Sequence, residues 1–138
     1  MSLAVILVVA GLISGGARFS DGSFVPSVGL SQLKVEAQKL NNPILDTPES
    51  IAKGREYFKF YCRQCHGTMG KGDGSMALGG STPSDLTDDK WDYGSTDGEI
   101  FVVIRDGTSS TDMEGYGRKL NTDQMWHLVN FVKSLGEN

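Results

Sequence analysis

Apolar and polar positions alternate along this chain in patterns of helical period, broken by glycine-rich connections. The chain opens on an unbroken apolar run, LAVILVVAGLI at positions 3–13, inside a charge-free stretch that extends from Met1 to Ala17. An apolar run of 11 residues suits the apolar part of an export signal, about 7–15 residues, while the charge-free stretch of 17 reaches the lower end of a membrane span of about 17–25. Small residues follow at Ser14-Gly15-Gly16-Ala17, no cation precedes the run, and the first one, Arg18, comes after it. Residues 1–17 are therefore expected to form an export signal or a membrane anchor. Residues 18–46 balance three cations against three acids and contain Pro26, Gly29 and Pro43, which reads as a linker. Within it Leu30, Leu33, Ala37 and Leu40 recur at helical spacing and predict a short amphipathic helix. That helix is expected to lie on its own domain, on a membrane surface or on a partner.

From Thr47 the pattern strengthens. Thr47-Pro48-Glu49 has the residues of a helix start: a capping hydroxyl, a proline for the first turn and an acid matched to the helix dipole. Ile51, Gly54, Phe58 and Tyr61 continue it on one side. Residues 67–89, rich in Gly, Ser, Thr and Asp, read as loop. A short helix is expected from Asp97, as its cap, to Gly107. A longer one opens at Asn121-Thr122-Asp123, carries Met125, Trp126, Leu128, Val129, Val132 and Leu135 on its apolar side and ends at Gly136. The expected fold is thus all-α, with one domain over residues 47–138.

Composition changes this picture in two ways. Among 138 residues, 38% are hydrophobic and 18 are glycine, so the apolar core is thin and much of the chain is loop. Something other than side chains is expected to fill the interior. The net charge of −4 leaves no basic excess to neutralise phosphates and argues against a nucleic-acid binder. The charge is also uneven. Residues 47–71 hold five cations against two acids, and residues 85–114 hold nine acids against two cations. A partner with an acidic rim would be steered to the first segment.

The chemistry is concentrated in Cys62-Arg63-Gln64-Cys65-His66. These are the only two cysteines, so a four-ligand zinc site lacks its second pair. A thioredoxin-type pair calls for a βαβ setting, absent from a helical pattern. A disulfide across two residues is unattractive. The remaining reading is covalent attachment of c-type haem, for which C-x-x-C-H is the signature. Two thiols bond the porphyrin and the adjacent histidine is placed as an axial ligand of its iron.

On these residues, with Gly67 and the loop Gly70-Lys71-Gly72-Asp73-Gly74, the chain resembles the class I single-haem cytochromes c. The likeness extends to Gly54 and Phe58 in the first helix, Phe131 in the last, and the stretch 91–108 followed by Met113, Tyr116, Leu120 and Met125-Trp126. It covers residues 47–138. It implies the class I cytochrome c fold around one covalent haem c, and a distal methionine ligand. Met113, 47 residues after His66, stands at the family's position, although Glu114 replaces the proline that often follows it. Met76, His127 or an open site are the alternatives; Met69 is too near His66, and Met125 reads as core. The resemblance further implies Pro83 as the carbonyl partner of the His66 ring, Trp91 beside a propionate, and Tyr116, Leu86, Ile100, Phe101, Ile104 and Leu120 as pocket wall. The implied function is one-electron transfer rather than catalysis, on the periplasmic side of a bacterial cytoplasmic membrane. The redox partner would be a membrane respiratory or photosynthetic complex that the chain serves or belongs to. A haem enzyme or gas sensor with an open distal site is the rival reading.

Overall fold

The computed structural model describes residues 30–77 and 82–136. The expected signal or anchor at residues 1–17, and the first part of the linker, lie outside the described residues. The described residues form five helices in order: α1 (Leu30–Gln38), α2 (Pro48–Tyr61), α3 (Arg63–His66), α4 (Asp97–Asp106) and α5 (Thr122–Leu135). Among the described residues there is no strand, only an isolated bridge between Gly107 and Glu114. The same residues contain no helix long and apolar enough to cross a membrane.

Helix ends follow local chemistry. The Thr47 hydroxyl accepts the Ser50 N–H at the start of α2, with Pro48 at the first helical position. At α5 the Asn121 carboxamide accepts from Gln124 N, and Gln124 Oε1 accepts from Asn121 N in return. At α4 the cap is Thr96 and not Asp97. Thr96 has extended backbone, its hydroxyl accepts from Glu99 N, and the Glu99 carboxylate receives Thr96 N. The physical reason is the T-x-x-E spacing, which closes a reciprocal box that Asp97 cannot close with Ile100. Asp97 instead pairs with Lys133 of α5.

The core forms where α2 crosses α5. Gly54 makes this crossing: a β-carbon there would sit 2.0 Å from the His127 carbonyl oxygen. Phe58 and Phe131 fill the space beside it with ring centroids 5.1 Å apart. Phe101 of α4 stacks on Trp126 of α5 at 4.0 Å. Val129 and Leu128 are sealed between the helices.

The segment before α2 is docked on this body. Ala37 of α1 is buried, and its carbonyl lies 1.9 Å from where a β-carbon of Gly98 would be, so α1 sits directly on the first turn of α4. Of the three settings expected for α1, its own domain is the one the contacts show. Downstream, the Asn42 amide reaches Asn130 Oδ1 (2.6 Å) and the Trp126 carbonyl (3.2 Å). Asn130, itself buried, donates to the carbonyls of Ile44 and Leu45 and to Ser50 Oγ. Every arm of that carboxamide is used, as burial of a polar group demands.

Candidate functional site

The last turn of α2 runs directly into α3, and this places the two thiols. Cys62 N still donates to Phe58 O, while Cys65 N and His66 N both donate to Cys62 O. Gly67 ends the turn in a positive-φ conformation (77°). The glycine loop then wraps the turn through backbone alone. Gly72 N donates to His66 O (2.9 Å), Gly74 N to Cys65 O (3.0 Å) and Met76 N to Gln64 O (2.8 Å). A β-carbon on Gly74 would come 2.2 Å from Gln64 O, so the loop lies this close only because glycine stands there.

Both thiols are free and half-buried. Burial, reinforced by Cys65, pushes the Cys62 thiol up to about 12. His66 Nδ1 lies 3.1 Å from the Ser84 carbonyl. With its proton on Nδ1, the ring keeps its lone pair on Nε2. Burial also holds the His66 pKa below its ordinary value, against the Ser84 carbonyl that opposes it, so the ring is neutral and available as a ligand. The carbonyl partner expected at Pro83 is thus supplied by the next residue. Gly72 lies close against Pro83 O, and it is the Ser84 carbonyl that faces the imidazole.

These groups open on a cleft of about 480 Å³. Cys62, Cys65 and His66 line it together with Pro83, Trp91, Met113 and Tyr116. Ile100 and Ile104 of α4 and Leu128 and Val132 of α5 form apolar wall. Leu86 lies on it as well, whereas Phe101 and Leu120 are buried in the core behind. Met113 is carried by a loop tied to itself. Thr108 N donates to Met113 O, Met113 N to Thr111 Oγ1, and the two threonine hydroxyls bond each other. Glu114, in the place of the proline, pairs with Lys119 at 2.7 Å. Lys119 in turn lies over the Tyr116 ring. The Tyr116 hydroxyl donates to Tyr61 O (3.0 Å), which ties this side to α2. Burial first, then Cys62, Glu114 and Cys65, push that hydroxyl up to about 12.

The other candidate ligands are placed differently. His127 does not line the cleft; its Nδ1 meets Ser50 Oγ at 2.8 Å. Met125 is core, and Met69 lies in a shallow surface concavity with Arg63 and Asp73. Met76 touches the cleft, but its backbone is fastened to Gln64 on the thiol side. Sequence reasoning missed Ser84 and the bond from Tyr93 Oη to Ser110 Oγ (2.7 Å), which links the two loops flanking the cleft. Neither has a local signal, because each depends on how two loops meet.

The donor set fits a flat apolar group held by two thioethers: paired free thiols beside a neutral imidazole, apolar walls, and a thioether side chain on a separate loop. The family model for cytochrome c oxidase, cbb3-type, subunit III matches residues 49–132. The cbb3-type cytochrome c oxidase subunit CcoP of Azospirillum brasilense is 33% identical over 100 residues, covering 64% of this chain and 32% of that protein. Subunit FixP of Sinorhizobium medicae is 32% identical over 94 residues, covering 62% and 30%. The chain thus spans about a third of the length of these curated relatives. Among solved structures, a chain of the Kuenenia stuttgartiensis reducing HAO-like protein complex aligns at a TM-score of 0.63 and 29% identity, covering 71% of this chain and 48% of that one. Cytochrome cL of Methylophaga aminisulfidivorans aligns at 0.55 and 26%, covering 64% and 55%. With a matching model over more than half its length and a fold shared with c-type cytochromes, the chain belongs to the cytochrome c oxidase, cbb3-type, subunit III family, whose domain carries covalent haem c.

Proposed function

We propose that this protein passes single electrons to or within a membrane-bound respiratory complex, on the periplasmic side of a bacterial cytoplasmic membrane. The observation that carries the reading is the convergence of Cys62, Cys65, His66 and Met113 on one apolar cleft. When bound, haem c supplies a one-electron iron couple. Cys62 and Cys65 would hold it through thioethers, His66 Nε2 and Met113 Sδ would be the ligands of its iron, and Trp91 and Tyr116 would border it. The Ser84 carbonyl fixes the His66 ring and raises its basicity. Ile100, Ile104, Leu128 and Val132 would shield the group from water, and with His66 and Met113 both bound to the iron it would carry electrons rather than transform a substrate. A neutral thioether ligand favours the ferrous state and gives a fairly high potential. The apolar run at residues 3–13 supports export or anchoring, and the names of the CcoP and FixP relatives support an oxidase as the complex served.

The test begins with the intact mass of the native chain from membrane and soluble fractions, where one haem added to the polypeptide is expected. Met113→Ala is then expected to lower the potential and to let the reduced protein bind carbon monoxide. An unchanged spectrum and potential would remove Met113 from the ligand set. Ready carbon monoxide binding by the wild type would overturn the electron-carrier reading.

A further inference from the structure

Glu99 carries the one buried acidic side chain among the described residues, at 4% exposure. Its carboxylate receives Thr96 N (3.1 Å), Thr96 Oγ1 (2.8 Å) and Gln38 Nε2 of α1 (2.9 Å). All three donors are neutral. None of the salt bridges among the described residues reaches it, and Lys34 acts only from a distance. The carboxylate lies immediately behind the cleft wall. Gly94 lines the cleft, and a β-carbon on it would come 2.3 Å from both Glu99 oxygens. Gly94 thus lies against the charge on one side and the cleft on the other. Burial pushes the carboxyl up, but the Thr96 and Gln38 bonds outweigh it and hold the pKa below its ordinary value, so the group is an anion at neutral pH.

The capping role does not require this charge, since glutamine closes the same box, as Gln124 does at α5. A net charge behind a functional wall, where a neutral isostere would make the same capping hydrogen bonds and forgo only the helix-dipole term, has an electrostatic consequence. We propose that Glu99 is a positioning residue for charge: its buried carboxylate stabilises the ferric over the ferrous form of the haem in the adjoining cleft and so sets the potential lower than the ligands alone would. The couple is one electron, taken up by the iron from the redox partner in the cell or from a soluble mediator in the test. The carboxylate stays ionised throughout and no proton moves. The inference rests on the electron-transfer reading above.

The experiment is an equilibrium redox titration of the full haem-loaded chain, with the optical spectrum and carbon monoxide reactivity recorded alongside. Glu99→Gln keeps the cap and removes the charge. It is expected to raise the ferrous-to-ferric ratio at fixed poise by about tenfold, which for one electron is about 59 mV. Gln38→Lys leaves Glu99 in place and lays a cation against it; a rise of about threefold is expected. Glu99→Asp keeps the charge and is expected to stay within about twofold of wild type. If Glu99→Gln does not fold, Gln38→Lys decides alone. Haem-loaded variants whose ratios match wild type would overturn the proposal and leave the electron-transfer reading intact. A rise accompanied by new carbon monoxide binding would overturn it too, since lost ligation would then be the cause. A wild type that carries no haem would overturn the electron-transfer reading itself.

Discussion

Replacing Gly54 with alanine separates two effects of opposite sign. Taken as a residue in the middle of α2, alanine should stabilise the helix by about 0.8–1 kcal/mol. At the crossing with α5 it meets a wall. Its β-carbon would lie 2.0 Å from His127 O, 2.7 Å from His127 C and 2.7 Å from Phe131 Cβ. Carbon contacts are comfortable at about 3.5–4.0 Å, so the two helices must part by about 1 Å or more. No side chain can rotate away, because two of the three obstacles are backbone and the third is fixed to it. Overpacking of this kind costs about 1–3 kcal/mol, occasionally more. Opening the crossing also loosens the Phe58–Phe131 contact, which puts the cost at the upper end of that range. After the propensity gain, Gly54→Ala should be less stable by about 2 kcal/mol. Urea denaturation of the haem-loaded protein, followed by far-ultraviolet dichroism, should show a lower midpoint with an unchanged slope; at about 1–3 kcal/mol per molar urea the shift is about 1 M. A midpoint equal to or above wild type would mean that the crossing is not close, and the reasoning would fail.

Two further outcomes follow from the polar network behind the core. Asn130→Ala strips partners from Asn42, Ser50 and the carbonyls of Ile44 and Leu45. A loss of about 2–3 kcal/mol is expected, together with faster amide exchange in residues 42–46; a loss below about 0.5 kcal/mol would show the network to be idle. His127 is held below its ordinary pKa by burial and then by Lys53, with Asp123 opposing. Its neutral form is therefore favoured in the fold, and the unfolded chain binds the extra proton first. This contribution is fully present above about pH 6.5, the unfolded value. It is lost as pH falls from there through the lowered folded value. Comparing the urea midpoints of wild type and His127→Gln at pH 7.5 and 5.0 checks it: the wild type should lose more, and parallel losses would refute the assignment.

Much of the fold could be read before any coordinates because its signals are local. Thr47-Pro48 and Asn121 name their helix starts by cap chemistry alone, while Gly54, Phe58 and Phe131 stand out through the likeness to class I cytochromes c. The thiol–imidazole group is legible for a similar reason, since five consecutive residues fix it. What escaped depends on how segments meet. Asp97 and Thr96 are both competent caps, and only the Glu99 return bond decides between them. Which of two adjacent carbonyls reaches His66 depends on how the loop carrying Pro83 and Ser84 meets α3. The docking of residues 37–45 rests on contacts with α4 and α5 made far along the chain, about which the period of four apolar positions says nothing.

The turn bearing the thiols is fastened by main-chain bonds from Gly72, Gly74 and Met76, not by side chains. Thr68, Met69, Lys71 and Ser75 are accordingly exposed on a frame that does not depend on what they are. Evolution can therefore rewrite this margin at little cost to the attachment chemistry beneath it. Relatives sharing the same five-residue motif are free to diverge in the partners they meet, with new specificity arising by surface drift while the buried glycines hold still.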